Sequence, residues 1–414
     1  MNTLEEVFDL SIETLVYGGD GLGHLPDGRA VFVPFTLPGE LVSVRIREEK
    51  GNFVRADVKE VVHASSLRVE PKCKHFGKCG GCQYQHMDNR DQVNFKKAIF
   101  LEQLQRLGKI QIGEVRAEPG LSPAWQYRNT LQFHLSPRGK VGFQRAGSNE
   151  VVEIEECHLP CSELNEIWPQ LEMDALPGLE RIDLRSDSQG QVMLTLHSRN
   201  PSPPDFSTDL PISAVHLVQG ESVVLAGSES IFMNVMDKTL RVSAGAFFQV
   251  NPIATEAMVK AVVEMAQPAS GMTVVDAYCG VGLYSAWLAP QVKRCIGIES
   301  SPAACRDYAF NLDEFSQVEL YEGLAEQVLP LLKVKAEVII ADPPRSGIAA
   351  RALQAILRME PQRIVYVSCN PATLARDARV LASKGYVISQ CMLVDMFPQT
   401  GHVEAVVLMS RVKE

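Results

Sequence analysis

The stretch Asp276-Ala277-Tyr278-Cys279-Gly280-Val281-Gly282 decides the fold class of this 414-residue chain. It follows a short apolar run, 272–275, and leads into a helical pattern, 283–288. Gly280 and Gly282 permit a tight turn and let a ligand approach the backbone closely. Because ligands of open α/β sheets bind at the carboxyl ends of the strands, this loop is a candidate cofactor site.

The alternation of strand and helix patterns continues from this loop to the end of the chain. Amphipathic stretches such as 349–359 and 372–381 separate the apolar runs. This order predicts an α/β fold, a doubly wound parallel sheet within residues 245–414. The predicted strands are 272–275, 295–298, 318–321, 338–341, 364–367, 387–394 and 405–409.

The second predicted strand ends in Glu299, 19 residues after Gly280. An acid at this place suits the two ribose hydroxyls of a nucleoside. The loop lacks the third glycine of a dinucleotide fingerprint and does not match a phosphate-binding loop. A nucleoside cofactor without a pyrophosphate fits better, which indicates S-adenosylmethionine and a methyltransferase. Two prolines hold Asp342 at the end of the fourth strand, at the same edge of the sheet.

Two further residues at strand ends are candidates for the chemistry. Cys369 follows the fifth strand and precedes a helix, whose N-terminus is expected to favour a nucleophilic thiolate. Glu404 is joined to an apolar strand, so desolvation is expected to raise its pKa toward the range of a general base. His402 is the second candidate for the base.

The part of the chain before residue 245 divides in two. Short β-rich runs separated by turn residues predict a small β-barrel over residues 1–62. Residues 63–244 are expected to form a strand-rich central domain, in which a helix at 90–108 is available to pack on the catalytic domain. Within it, Cys73, Cys79 and Cys82 alternate with glycines, and three close thiolates plus a distant one suit a four-iron cluster or zinc.

Composition narrows the class of protein. With 46% hydrophobic and 22% charged residues the chain is globular, and it has no apolar run of membrane-spanning length. The N-terminus lacks a signal-peptide core, so a cytoplasmic protein without a membrane partner is expected. The net charge of −10 disfavours a phosphate-backbone partner, but residues 68–109 carry nine cations against four acids.

Several motifs occur in an order that resembles the RNA (uracil-C5) methyltransferases, and the resemblance is close to full length. The motifs are Cys73, Cys79 and Cys82 with Cys157; Phe247-Phe248-Gln249-Val250-Asn251; Asp276 to Gly282; Asp342-Pro343-Pro344-Arg345; Ser368-Cys369-Asn370-Pro371; and His402-Val403-Glu404.

This resemblance implies a TRAM barrel at the N-terminus and a class I S-adenosylmethionine-dependent methyltransferase domain. It implies Cys369 as nucleophile and Glu404 as general base in making 5-methyluridine. It implies Gln249, Tyr278, Glu299 and Asp342 as cofactor contacts, and a [4Fe-4S] cluster rather than zinc on Cys73, Cys79, Cys82 and Cys157, with Cys161 the alternative fourth ligand.

The cluster and the barrel favour 23S ribosomal RNA as the partner, and we expect a monomer. Tyr17, Phe35 and Phe53 are candidates for stacking on bases, and Tyr127-Arg128-Asn129 for meeting RNA. Leu283 and Gly323 replace polar residues of some relatives, so no cofactor contact is expected from them.

Three alternatives compete with this prediction. One is a tRNA uridine-C5 methyltransferase. Another is a cytosine-C5 RNA methyltransferase, which typically has a second cysteine in a Pro-Cys motif that is not found near Asp342. The third is an inactive, cluster-bearing RNA-binding protein, against which the intact Cys369 and Glu404 argue.

Overall fold

The computed structural model describes residues 7–118, 120–171, 173 and 176–412. Its N-terminal part is a six-stranded sheet in the order β1-β5-β6-β4-β3-β2 around an apolar core of mainly valine and leucine. A Cβ on Gly23 would lie 2.4 Å from the carbonyl oxygen of Ser11, so a glycine is needed where β3 closes on β1. The predicted small barrel is therefore present. Its strands are β1 Val7–Ser11, β2 Thr14–Leu15, β3 Gly21–His24, β4 Ala30–Val33, β5 Leu41–Lys50 and β6 Phe53–His63.

A helix connects the barrel to the rest of the chain. Helix α1, Asn89–Gln103, continues as a π-turn over Leu104–Gly108. Lys96 of α1 forms a buried ion pair with Asp395 at 2.8 Å and donates to the carbonyl of Phe397 at 2.9 Å. The helix is thus anchored to a loop of the C-terminal domain. Strand β7, Arg116–Ala117, then joins the edge of the C-terminal sheet.

The middle of the chain forms a seven-stranded sheet in the order β10-β9-β8-β11-β12-β13-β14. Its core includes Phe133, Trp168, Leu184 and Leu194. The elements are β8 Thr130–Leu135, β9 Val141–Gln144, β10 Val151–Glu153, α2 Ser162–Ile167, β11 Leu179–Ser186, β12 Val192–Ser198, β13 Ile212–Val218 and β14 Glu221–Ala226. A hairpin of β15, Ser230–Val235, and β16, Lys238–Ser243, follows.

The C-terminal part contains every strand that the sequence predicts there. Its elements are α3 Pro252–Ala266, β17 Thr273–Ala277, α4 Ser285–Leu288, β18 Arg294–Glu299, α5 Pro302–Asn311, β19 Val318–Glu322, α6 Ala325–Val328, β20 Val338–Ala341, α7 Ala350–Met359, β21 Arg363–Ser368, α8 Pro371–Ala382, β22 Tyr386–Val394 and β23 Glu404–Arg411. They form one sheet in the order β19-β18-β17-β20-β21-β23-β22-β7. The chain order reverses between β17 and β20, which is where ligands bind in such folds.

The sheet differs in one respect from the parallel sheet that the sequence predicts. Strands β17 to β21 are parallel, but β23 runs antiparallel to both β21 and β22. Only residues 395–403 join β22 to β23, and they contain no helix that could carry the chain back across the sheet. The reversal brings the start of β23 to the edge where the parallel strands end.

None of the helices within the described ranges combines the length and the apolar character that a membrane-spanning helix requires.

Candidate active site

The loop after β17 has the backbone of a ligand cradle. Tyr278, Gly280 and Gly282 have φ of 70°, 54° and 94°, and a bulky residue such as Tyr278 adopts this conformation only under constraint. The N–H groups of Tyr278 and Cys279 both donate to the carbonyl of Ile298 at 3.0 Å, which supplies that constraint. A Cβ on Gly280 would meet no described atom within 4 Å, so the loop opens onto free space.

Glu299 lies against this loop from the neighbouring strand. Its Oε2 accepts from the N–H of Gly280 at 2.9 Å, and its Oε1 accepts from the N–H groups of Ser300 and Ser301, both at 2.7 Å. The carboxylate is therefore fixed beside the opening of the loop. Its remaining lone pairs suit the hydroxyl donors of a ribose, as the sequence predicts.

Two aspartates, the half-buried Asp342 and the buried Asp276, stand behind the same edge. Asp342 follows β20 and accepts from Tyr284 Oη at 3.0 Å, while burial raises the pKa of Asp342 to about 6. Asp276 accepts from Ser285 Oγ at 2.7 Å, and burial raises the pKa of Asp276 to about 7. Sequence reasoning missed Tyr284 and Ser285, although both follow the glycine loop directly.

Gln249 lies in the segment that joins β16 to α3. It is buried, and its carbonyl accepts from Asn129 Nδ2 at 3.2 Å. Asn251 caps α3 through the N–H of Ala254 and also donates to Ser122 Oγ at 2.8 Å. In contrast, Phe247 of the same loop is 70% exposed.

Tyr278 points away from that loop. Its ring packs against the hydrophobic cluster on the α7 and α8 side of the sheet. Burial raises the pKa of the Tyr278 phenol to about 12, with a smaller contribution from the charge of Glu326. The backbone of Tyr278 is thus part of the glycine loop, while its side chain lies beside it.

Cys369 and Glu404 stand next to each other at the edge of the sheet. Ser368, the last residue of β21, pairs with Ala405, so Cys369 directly after β21 comes close to Glu404, the first residue of β23. Glu404 is only 5% exposed. Its burial and the charge of Asp342 raise the pKa of Glu404 well above its ordinary value, in the direction that the sequence predicts.

The pKa of the Cys369 thiol is raised in this structure, so the expected effect of the helix N-terminus does not outweigh the other influences on it. Burial, and then the charges of Glu404 and Asp342, raise the pKa of Cys369 to about 11. The N-terminus of α8 offers little compensation, because Asn370 Oδ1 already takes the N–H of Ala372 at 3.0 Å and Pro371 has no N–H.

The positive charge that acts on this pair comes from Arg345, a residue of a quoted motif for which the sequence predicted no role. Arg345 lowers the pKa of both Cys369 and Glu404, against the larger effect of burial. Its Nη2 lies 3.5 Å from His402 Nε2. Burial and Arg345 lower the pKa of His402 to about 4, so His402 is a poorer proton acceptor than Glu404.

The four predicted metal ligands line one cavity. Cys73, Cys79, Cys82 and Cys157 surround it, whereas Cys161 is the N-cap residue of α2 and does not line it. The N–H of Gly81 donates to Cys79 Sγ at 3.4 Å. Across the described ranges no three His, Cys, Asp or Glu side chains are grouped so as to hold a metal ion. The four thiols are nevertheless close enough for the charges of Cys157, Cys79 and Cys73 to raise the pKa of Cys82, although burial has the larger effect.

The segment Tyr127-Arg128-Asn129 connects this cavity to the catalytic sheet. Tyr127 Oη donates to the carbonyl of Pro398 at 2.9 Å, and the N–H of Asn129 donates to the carbonyl of Val250 at 2.9 Å. Arg128 lines the cysteine cavity. Because Tyr127 and Asn129 are buried, the expected RNA contact from these two side chains is not available, and the segment instead holds the site together.

The aromatic residues of the barrel have different surroundings. Phe35 packs edge-on against Phe76, close to the cysteine loop, and Phe53 packs edge-on against Phe32. Tyr17 takes part in neither of these ring contacts. It lies at the catalytic sheet, where its hydroxyl donates a hydrogen bond to the backbone carbonyl of Cys369.

Comparison with known proteins shows the family of this chain. Residues 228–412 match the family model tRNA (Uracil-5-)-methyltransferase, and residues 3–59 match the TRAM domain. An RNA methyltransferase of Halalkalibacterium halodurans, itself uncharacterized, is 35% identical over 98% of this chain and 97% of its own. An uncharacterized RNA methyltransferase of Aquifex aeolicus is 32% identical over 97% of each chain.

A solved structure matches over the same extent. The tRNA (uracil-54, C5)-methyltransferase of Pyrococcus abyssi, in complex with S-adenosyl-L-homocysteine, superposes with a TM-score of 0.74 at 26% identity. The match covers 97% of this chain and 99% of that one. It therefore includes the barrel and the central sheet as well as the catalytic domain.

Proposed function

This chain belongs to the RNA uracil-C5 methyltransferases, which use S-adenosylmethionine, and from that premise we propose that it methylates a uridine of 23S ribosomal RNA through a covalent adduct on Cys369. The observation that supports the adduct is the pairing of Ser368 with Ala405. It sets a thiol and a buried carboxylate side by side at the edge where the glycine loop opens.

In the proposed reaction, Cys369 loses its proton to water and reacts as the thiolate, which the charge of Arg345 favours. Its Sγ adds to C6 of the uracil and the ring becomes an enolate. When bound, S-adenosylmethionine would supply an electrophilic methyl group to C5 and leave as S-adenosylhomocysteine. Glu404 then takes the proton from C5, the C5–C6 double bond re-forms, and the Cys369 thiolate is expelled. Arg345 carries the positive charge near both groups and offsets the negative charge that develops on the ring.

Glu404 suits the proton transfer because of its surroundings. A carboxylate with a raised pKa is a stronger base than one in water, and Glu404 is desolvated on an apolar strand. We propose Gln249, Tyr278, Glu299 and Asp342 as the cofactor contacts. Of these, Glu299 and the backbone at Tyr278 are the best supported, since both border the open space above Gly280.

We propose that Cys73, Cys79, Cys82 and Cys157 hold a [4Fe-4S] cluster with a structural role. The observation that supports this is that all four cysteines line one cavity, and a [4Fe-4S] cluster takes one cysteine thiolate at each of its four irons. The family resemblance favours this cluster over zinc. The N–H of Gly81 at Cys79 Sγ also suits a bound thiolate.

The cysteine cavity favours ribosomal RNA. The barrel does not distinguish the two RNAs, because the match to the Pyrococcus abyssi tRNA enzyme includes it. A tRNA target is the second candidate, favoured by the full-length match to the Pyrococcus abyssi enzyme, whose name specifies tRNA.

One experiment separates the two targets. Unmodified 23S rRNA and tRNA transcripts are incubated with the protein and methyl-tritiated S-adenosylmethionine, and nucleosides are identified by mass spectrometry. We expect 5-methyluridine in the 23S transcript. Label that appears in tRNA alone would replace the proposed target, and label on another base would refute the proposed chemistry.

A further inference from the structure

The turn between β2 and β3, residues 16–20, leaves the barrel and reaches the catalytic sheet. Tyr17 lies in this turn, and its Oη donates to the carbonyl oxygen of Cys369 at 3.2 Å. The half-buried ring packs on one side against the hydrophobic cluster of the catalytic domain and on the other against a cluster that contains Leu15 and Tyr84. A residue of the N-terminal barrel thus contacts the residue that carries the proposed nucleophile.

Backbone contacts hold the turn against the loop that precedes Glu404. A Cβ on Gly401 would lie 2.8 Å from both the carbonyl carbon and the oxygen of Gly18, so only a glycine allows this approach. The N–H of Gly401 donates to Gln83 Oε1 at 3.2 Å, and the N–H of Gln83 donates to the carbonyl of Gln399 at 3.0 Å. The turn therefore packs against the loop that leads into β23, and Tyr17 bonds to the backbone that follows β21.

The peptide group between Cys369 and Asn370 is held at both of its polar atoms. Its N–H donates to Ser368 Oγ at 3.1 Å, and its carbonyl oxygen accepts from Tyr17. This peptide sets the direction of the Cys369 side chain, because it is the first unit after β21. Without the Tyr17 hydroxyl, the carbonyl would be free to turn toward water.

The Tyr17 hydroxyl also lies within the electrostatic field of the site. Burial and the charges of Cys369 and Glu404 raise the pKa of the Tyr17 phenol, while Arg345 lowers it. The phenol therefore stays protonated and remains a hydrogen-bond donor at neutral pH.

We propose that Tyr17 is a positioning residue for the nucleophile: it fixes the Cys369 carbonyl so that the thiol faces the pocket that opens at Gly280. The inference rests on the proposed function, and it makes the N-terminal barrel a structural part of the catalytic centre in addition to an RNA-binding domain.

The test uses the full-length Tyr17→Phe variant, which keeps the ring and its packing and removes only the hydroxyl. We expect the rate of adduct formation with RNA that contains 5-fluorouridine, at saturating RNA and cofactor, to fall roughly three- to tenfold, as for loss of one neutral hydrogen bond. The dissociation constant for RNA should stay unchanged. Tyr321→Phe is the matched control, since it also loses a hydrogen bond, to Glu319 at 3.2 Å, but on the distant edge strand β19.

A second readout does not depend on RNA chemistry. The alkylation rate of Cys369 by iodoacetamide, followed on the Cys369 peptide by mass spectrometry, should fall roughly twofold or more in Tyr17→Phe, because the unbonded carbonyl disfavours the nearby thiolate. If the wild type forms no adduct, the proposed function fails and alkylation alone decides the role of Tyr17. An unchanged rate in the deciding assay, or lost RNA affinity at an unchanged rate, would overturn the proposal.

Discussion

Ser368 of β21 lies directly opposite Ala405 of β23 in an antiparallel pair. This is the last pair of the ladder, so Cys369, directly after β21, and Glu404, the first residue of β23, come close together, and the charge of Glu404 acts on Cys369. The antiparallel direction of β23 is essential to this arrangement. A parallel strand would have brought its other end, near Arg411, to the active edge.

The first prediction concerns the nucleophile. Cys369→Ala should form no denaturation-resistant complex with RNA that contains 5-fluorouridine, whereas the wild type should form one, because fluorine at C5 cannot leave as a proton. Gel electrophoresis under denaturing conditions measures this. Cys391→Ala, at a buried cysteine of β22, is the control and should retain the complex. A complex that persists in Cys369→Ala would exclude Cys369 as the nucleophile.

The second prediction concerns the base. Glu404→Gln should accept the methyl group but fail to remove the C5 proton, so a methylated adduct should accumulate on ordinary RNA. Steady-state turnover should fall about a hundredfold or more. His402→Gln should turn over without a persistent adduct. The opposite pattern, with the adduct trapped only in His402→Gln, would transfer the role of base to His402.

The third prediction concerns the cysteine cavity. Protein purified without oxygen should be brown and contain iron and sulfide, and Cys79→Ser should lose both. Cys161→Ser should keep them, because Cys161 lies at the N-terminus of α2 outside the cavity. Metal analysis that finds zinc and no iron in the wild type would contradict the cluster.

The fourth prediction concerns the cofactor. In Glu299→Gln, an amide group that donates hydrogen bonds replaces one of the carboxylate oxygens that accept from the backbone and are expected to accept from the ribose. The affinity for S-adenosylhomocysteine should therefore fall about tenfold, which corresponds to the loss of one charge-assisted hydrogen bond of about 1.5 kcal/mol. Isothermal titration measures it. Glu322→Gln is the matched control, because Glu322 lies on β19 directly beside Glu299 of β18 and its side chain is exposed. Equal losses in the two variants would argue against a specific role for Glu299.

The fifth prediction concerns pH and stability. Burial raises the pKa of Asp276 in the folded protein to about 7, above its ordinary value of 3.8. Between pH 3.8 and about 7, Asp276 is therefore protonated in the folded protein but ionised in the unfolded chain. The free energy of unfolding consequently decreases as the pH rises through this range, by at most about 1.4 kcal/mol per pH unit from this group.

Asp276→Asn has no such proton to lose, and its amide oxygen still accepts from Ser285. The stability of Asp276→Asn relative to wild type should therefore increase from pH 5 to pH 7 and level off above it, as measured by thermal unfolding. Asp313→Asn, at an exposed site, should show no such trend. A constant difference for Asp276→Asn across this range would show that the carboxyl group is ionised in the folded protein.

Much of the fold follows from local patterns. The strands from β17 to β23, the glycine loop and the barrel were all predictable, because periodic burial and turn residues act within a few positions along the chain. The roles of the predicted site residues remain predictions. The direction of β23 was not predictable from its own residues, because an apolar strand has the same residue pattern whether it runs parallel or antiparallel to its neighbour. Only the shortness of the 395–403 connection excludes a crossover to a parallel strand.

The amino-acid sequence by itself determined the class of fold and the presence of the glycine loop, and it indicated which side chains are candidates for the chemistry, since these depend on residue type and short-range spacing. Only the tertiary structure decided which groups act on one another. It set Glu404 beside Cys369, raised the Cys369 pKa through burial and carboxylate charge, and brought Tyr17 to a carbonyl 352 residues away. Such contacts depend on strand register and domain packing, which arise from many distant residues at once.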